Sequence, residues 1–487
     1  MKTLRTPNTV RVLPLLFLSV AIYPSSALIA QSPDTFVATE SMTISRASHT
    51  ATLLPDGKVL IAGGFVQDAN PVTVLNTAEL YDPATGKFSV TGNMANARFA
   101  HSATRLPDGR VLITGGYPGM NAEIYDSATG SFTSAGNMIT SRQWHTATLL
   151  SNGKVLIAGG NLDGSFDSSY TVGDTSAELY DPATGIFSAI GTMTRYRRSH
   201  RAGLLANGSV LIVPGSDAND FGTAELYNPD AGTFSSVPFA GTQGYSAATE
   251  NILTNGNALM SLQLAECDYS IRLANLFDAS TITFSAASEM VYPHCQQTSA
   301  TLADGSVLIV GNLWDGIGPV PGAEIYDPTS GTFSATGMMT SASQFPTATL
   351  LNNGKVLVVG GENGGAQLYS PRALVPAPTL FSLSGDGQGQ GAIWHATTGV
   401  IASSRSPAIA GEALSMYTTS LAEGGVIPPQ IAVGGRLAEV LYFGASSYPG
   451  YNQVNFRVPN GVAPGSAVPV RLSYLGRSSN EVTIGAR

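Results

Sequence analysis

The segment from His145 to Gly160, HTATLLSNGKVLIAGG, holds two apolar runs joined by Asn-Gly and ended by Gly-Gly. Asn-Gly suits the two positive-φ positions of a type I′ turn, whose twist matches the strands it joins, so the segment is read as a hairpin. The same sentence recurs at His49, His101 and His200, and in weaker form near Tyr245, at Gln297 and at Pro346. Every copy keeps its turn: Asp56-Gly57, Asp108-Gly109, Asn152-Gly153, Asn207-Gly208, Asn255-Gly256, Asp304-Gly305 and Asn353-Gly354. One such hairpin cannot bury its own faces, whereas an array can, so this repeat limits the possible folds more than any other feature of the chain.

Each hairpin is followed by a loop of varying length and a third apolar run, AELYDP at Ala78, with variants at Ala122, Ala177, Ala224, Ala274, Ala323 and Ala366. A turn then leads to a fourth run opening on Phe88, Phe132, Phe187, Phe234, Phe284 or Phe333, spaced 44 to 55 residues apart. Four antiparallel strands per unit of about 50 residues predict an all-β chain built around a seven-bladed β-propeller. The last hairpin unit lacks a fourth run, while residues 36–42 (FVATESM) align with 88–94 (FSVTGNM) and have no first three strands before them. The early segment is therefore expected to fill the seventh blade and close the ring, which removes open sheet edges.

From about residue 34 to 371 the chain resembles the kelch family, through the Gly pairs 63/64, 115/116, 159/160 and 360/361, the AEhYDP strands and the Arg-x-x-His entry to each hairpin. It departs from that family in carrying Phe where the fourth strand usually has Trp, and in losing the Gly pair and the His in the fifth and sixth units. Beyond Pro376 the vocabulary changes to short alternating strands between Pro and Gly turns, such as IAVGGRLAEVLYFG at Ile431, which fits an Ig-like β-sandwich. This part resembles a C-terminal module of secreted bacterial proteins similar to IPT/TIG domains. The expected division is a signal peptide over 1–30, a propeller over 31–373 and the Ig-like module over 374–487.

The signal peptide is read from Lys2, Arg5 and Arg11, the apolar run Val12 to Tyr23, and small residues up to Ala27 and Ala30. Its removal takes away three basic groups and moves the formal charge from −9 to −12, which argues against nucleic acid as a partner. No later run is long and apolar enough for a transmembrane anchor. The protein is accordingly expected outside the cytoplasm, in the periplasm, at the cell surface or released. There the two cysteines, Cys267 and Cys295, are expected to form a disulfide between neighbouring blades, worth ~3 kcal/mol.

In a four-stranded blade, the loop entering strand one and the loop between strands two and three lie on the same rim. Arg46, Arg98, Arg142 and Arg197, with Phe99, Trp144, Tyr196, Tyr245, Tyr292 and Phe345, form the candidate ligand-binding rim. Guanidinium groups beside aromatic faces suit a sugar, especially an anionic one. The competing reading is that each Arg pairs with a repeated carboxylate such as Glu79, Glu123 or Glu178, and each aromatic fills the wedge between blades. His49, His101, His145 and His200 share a strand register and are read as bonding between blades rather than as metal ligands. The acidic stretches DGSFD (163–167) and DAND (217–220) lack the spacing of a calcium loop, and GDGQGQG (385–391) opens no helix that would cradle phosphate.

The architecture also resembles galactose oxidase, a copper radical oxidase family that joins a seven-bladed kelch propeller to an Ig-like domain. That resemblance implies a Cys cross-linked to Tyr, a second Tyr and two His ligands, one of them C-terminal; here the only C-terminal His is His395, and no adjacent Tyr-His pair exists. The sequence alone therefore favours an exported, non-catalytic, monomeric protein that binds a carbohydrate or protein ligand and needs neither cofactor nor metal. The alternative is an extracellular carbohydrate-active enzyme such as a galactose oxidase-like copper oxidase.

Overall fold

The computed structural model describes residues 34–487, apart from 67–71, 118, 162–172, 216–221, 240–244, 265–270, 315–318, 342–344, 361–363 and 423–424. The expected signal peptide, the DGSFD and DAND stretches and Cys267 lie outside the described residues. Seven four-stranded antiparallel sheets form the propeller, and their first strands touch one another in a closed ring. Blade 1 runs Thr50–Leu53, Val59–Ala62, Ala78–Asp82 and Lys87–Val90 from the axis outward. The corresponding first strands of blades 2 to 7 are Ser102–Arg105, Thr146–Leu149, Arg201–Leu204, Tyr245–Ile252, Cys295–Thr301 and Thr347–Leu350.

In blade 7 the outermost strand is Thr35–Ala38, antiparallel to Ala366–Ser370 with Phe36 opposite Tyr369. The Phe36 and Tyr369 rings lie 4.9 Å apart. Equivalent pairs join strands three and four elsewhere, for example Tyr81 with Phe88 at 5.0 Å and Tyr180 with Phe187 at 4.7 Å. An aromatic cross-strand pair adds to the sheet beyond its buried area, so the Tyr and Phe repeats act together.

The second strands are VLIA-like and buried on both faces because each blade is covered by two others. Seven apolar clusters result, one in each seam; that between blades 1 and 2 joins Leu60 and Ala62 to Val111, Ile113 and Tyr125. The hairpin turns differ from the type expected. Only the glycine has positive φ, from 83° at Gly153 to 94° at Gly109. Gly57 N–H bonds to Leu54 O and Leu54 N–H to Lys58 O, a type I turn followed by a left-handed glycine. The preceding Asp or Asn is selected for its side chain, whose Oδ1 accepts the N–H two residues on in all seven turns, as Asp56 does from Lys58 at 3.1 Å.

The C-terminal part is a curled eight-stranded sheet around one apolar core that includes Ile393, Met416, Ile431, Phe456 and Leu472. The strand Arg436–Ala445 turns the corner: Arg436 to Ala438 pair with Gln430–Val433, and the rest pairs with Asn452–Arg457. The sheet sits on the hairpin-turn face of the propeller, where Val426 N–H bonds to Thr254 O and Arg105 reaches Ser473 Oγ at 3.1 Å. The opposite rim, with the entry loops, is left uncovered. Among the described residues no helix is long and apolar enough to cross a membrane.

Candidate functional site

The entry loops and the loops after strand two share one rim, as isolated bridges from Ala47 to Phe65, Phe99 to Tyr117 and Gln143 to Asn161 show. The four arginines do not reach that rim. Arg46, Arg98, Arg142 and Arg197 are 0–2 % exposed. Each pairs with the glutamate of its own blade: Arg46 with Glu79 at 2.7 Å, Arg98 with Glu123 at 2.6 Å, Arg142 with Glu178 at 3.0 Å and Arg197 with Glu225 at 3.1 Å. The second carboxylate oxygen accepts a backbone N–H of the arriving chain, as Glu79 does from Thr43 at 2.8 Å. Their inclusion among rim ligands is corrected: the pairs clamp each incoming segment to its blade.

The clamp changes as a unit. In blade 6, His294 stands where the others have Arg and lies 2.8 Å from Glu324. In blade 5 the two positions are Tyr245 and Asn275, and in blade 7 the glutamate is Gln367. A buried carboxylate needs a partner, so where the base is lost the acid is lost too.

The repeated histidines occupy four seams. Their Nε2 atoms lie 3.2 Å from Thr347 (His49), 3.0 Å from Thr50 (His101), 3.0 Å from Thr114 (His145) and 2.9 Å from Thr146 (His200), each on the preceding blade. They explain the Gly pairs. A Cβ on Gly63 would stand 2.7 Å from the His101 ring and 2.5 Å from Arg98 O; on Gly115, 2.7 Å from His145 and 2.3 Å from Arg142 O; on Gly159, 2.8 Å from His200 and 2.7 Å from Arg197 O. The Gly pair of one blade thus makes room for the Arg-x-x-His of the next, and blades 5 to 7, which lack the His, follow blades without the pair.

Burial and the neighbouring Arg46 and Arg142 guanidinium groups push His49 and His145 down to about 3, and His101 and His200 also fall well below the usual imidazole range. These groups stay neutral in the fold, whereas the unfolded chain takes up protons below about pH 6.5. Stability is therefore untouched above pH 6.5 and is lost as pH falls toward 3, at most about 2 kcal/mol per histidine by pH 5. In urea titrations, His101→Gln is expected to flatten the fall between pH 6 and 4 by about one proton per molecule, or ~1.4 kcal/mol per pH unit. An unchanged slope would show that His101 takes up its proton without unfolding.

What the rim does present is aromatic. The residue before each repeat His, or its equivalent, has positive φ in six of the seven blades: Ser48, Ala100, Trp144, Ser199, Gln296 and Phe345, at 47° to 58°, whereas Ala247 of blade 5 lies within its strand. Trp144 N–H bonds to Ala100 O and Ser199 N–H to Trp144 O, so these residues link blade to blade around the mouth of the axial channel. A left-handed backbone is costly for a bulky side chain, yet Trp144 and Phe345 hold it. Phe345 is 42 % and Tyr196 52 % exposed. Trp144 and Tyr292 are half-buried, while Phe99 is buried beneath the patch, its ring 5.3 Å from Phe65, 5.6 Å from Tyr117 and 6.3 Å from Trp144. Tyr245 lies at the start of its strand, with its side chain outside the described set.

A copper radical centre does not fit these residues. All six histidines are engaged: four in the seams, His294 with Glu324, and His395 with Glu412 at 2.5 Å and Ser406 O at 2.9 Å. Cys295 is held in a disulfide. Among the described residues no three His, Cys, Asp or Glu side chains gather around one point.

No family model matches the chain. It is similar to two galactose oxidases of Gibberella zeae, each 36 % identical over 91 residues, 18 % of this chain and 13 % of theirs, so the match spans about an eighth of their length. The fold is similar to the solved structure of a fungal alcohol oxidase of the AA5 family in complex with copper, at 16 % identity and a TM-score of 0.59, covering 92 % of this chain and 99 % of that one. The propeller with a following β-module is thus the architecture seen in that oxidase. These relatives overturn the expectation of a non-catalytic binding protein, because both matches carry the names of enzymes and favour the enzyme reading over it.

Proposed function

We propose that this protein is an exported carbohydrate-active enzyme that works at the uncovered rim of the propeller, with oxidation of a sugar hydroxyl as the reaction suggested by its relatives. The observation that carries the reading is the aromatic mouth, where Trp144 and Phe345 keep strained backbones at equivalent positions of two blades. Aromatic faces stack on the apolar face of a sugar ring, and these two blades place a ring where four others carry Ser48, Ala100, Ser199 or Gln296 on the same left-handed backbone. Arg46, Arg98, Arg142 and Arg197, each buried against a glutamate, offer no charge to a sugar at the mouth. Trp144, Tyr196 and Phe345 would bind and orient the ring. Copper would supply the one-electron chemistry of an oxidase, but the described residues do not form its site, and no step is derived through it. The curled C-terminal sheet is read as the Ig-like module, which supports the propeller from the opposite face.

The test is turnover by the full chain on galactose, glycerol and plant oligosaccharides, with and without added copper, read as peroxide and as product mass. Turnover is expected, and Trp144→Ala is expected to raise KM roughly 3- to 10-fold with a smaller change in kcat, the scale of one stacking contact. No product from any of these substrates under either condition would sink the reading.

A further inference from the structure

The second feature of note is at the other end of the axis. A cavity of about 1340 Å³ lies between the hairpin-turn face and the C-terminal sheet, walled by first strands of all seven blades. A volume of this order holds a sugar-sized molecule with room to spare, and a domain interface is a usual place for a ligand.

The repeat breaks its own pattern on this wall. At the last residue of strand one, blades 1, 3, 4 and 7 carry Leu53, Leu149, Leu204 and Leu350, and blade 5 carries Ile252. Blade 2 carries Arg105. Its guanidinium bonds to Leu53 O at 3.2 Å and Ser473 Oγ at 3.1 Å, both neutral, and it has no acidic partner among the described residues. Instead it lines the cavity with a second arginine, Arg471 of the C-terminal sheet; burial, and after it that neighbouring charge, brings Arg105 down to about 10. Arg471 is paired with Glu481 at 2.8 Å and remains 31 % exposed. Of the acidic groups on the wall, Glu439 is paired with Arg457 at 2.8 Å, the Glu250 carboxylate is buried without a hydrogen-bond partner among the described residues and pushed up to about 8 by that burial, and Asp230 lies in a turn of blade 4.

A part-buried guanidinium without a counter-ion is costly, and Arg105 is such a group beside the already paired Arg471, so an anion would complete the arrangement. The planar fork of Arg matches the two oxygens of a carboxylate. Across the channel, Ser299 donates to Asn251 at 2.6 Å, and Thr301 lies beside them, so the far wall offers partners for hydroxyl groups. We infer that this chamber is a second ligand site, in which Arg105 and Arg471 take the carboxylate of a small sugar acid and so tie the propeller to the C-terminal sheet. The inference is independent of what happens at the rim.

The experiment is the melting temperature of the full chain in 10 mM galacturonate, 10 mM galactose, sodium sulfate and sodium chloride at matched ionic strength, followed by calorimetric titration with galacturonate. Galacturonate is expected to raise the melting temperature by several degrees and to bind once per chain, with no such shift from galactose or chloride. Arg105→Leu installs the residue that four other blades carry at this register, so the fold should accept it, and it is expected to abolish the shift. Arg471→Gln, at a partly exposed position, is expected to weaken binding about tenfold, the loss of one charge-assisted contact. Absence of a galacturonate shift in the unaltered protein, an equal shift in Arg105→Leu, or an equal shift from sulfate would each overturn the assignment.

Discussion

Replacing Arg98 by methionine is expected to destabilise the protein by roughly 3–5 kcal/mol, the range seen when one partner of a buried ion pair is removed. The side chain has three roles at once: it neutralises Glu123 at 2.6 Å, and it donates to Gly115 O at 2.8 Å and Asn121 O at 2.9 Å. Methionine fills similar volume but leaves the buried Glu123 carboxylate without a counter-charge, held only by Ala95 N–H at 2.8 Å, and takes a donor from two carbonyls. Adding Glu123→Leu should recover part of the loss, because no charge is then stranded, although Ala95 N–H loses its acceptor. Urea midpoints at pH 7 with unchanged m-values would measure both effects. A single variant as stable as the parent would mean that water enters the seam and solvates Glu123.

The second large effect is expected at Gly115. Alanine there is strained at φ 58°, and its Cβ would stand 2.3 Å from the backbone oxygen of Arg142, an atom fixed by its own bond to Gly116 N–H. Gly185 has a similar φ of 70° but nothing within 4 Å of the added atom. Gly185→Ala should therefore cost only ~1 kcal/mol for the backbone, whereas Gly115→Ala should cost that plus about 3 kcal/mol for prising two blades apart. Equal losses at the two sites would show that the glycine pair serves only its own backbone angle, not the approach of the next blade.

Both effects arise from a feature that is visible in the chain but not interpretable from it. The Arg-x-x-His spacing and the Gly pairs are plain in the sequence, and so is their joint loss in the later units. Which group meets which is a matter of the ring: Arg98 turns inward to Glu123 of its own blade, while His101 leans back on Gly63 of the preceding one. Reading the arginines as rim groups failed because a repeat spacing gives a side chain's register and not its depth. The aromatic mouth was half legible. Trp144 and Phe345 could be listed, but nothing in their neighbours along the chain shows that both sit on left-handed backbones at equivalent points of the ring.

Arg105 illustrates the same division. Comparison with the other blades shows that an arginine has replaced a leucine, yet only the folded chain brings it beside Arg471, 366 positions later, with a cavity between the two parts.

By itself the sequence determined the hairpins, the four-strand unit and the seven-fold count, because turn chemistry and the two-residue alternation of strands act over a few neighbouring residues. The tertiary structure decided the partners across each seam, the burial of the arginine clamps, and which of the two propeller faces the C-terminal sheet covers. Those outcomes depend on contacts between residues far apart in the chain, where desolvation and close packing, not local propensity, set the energy.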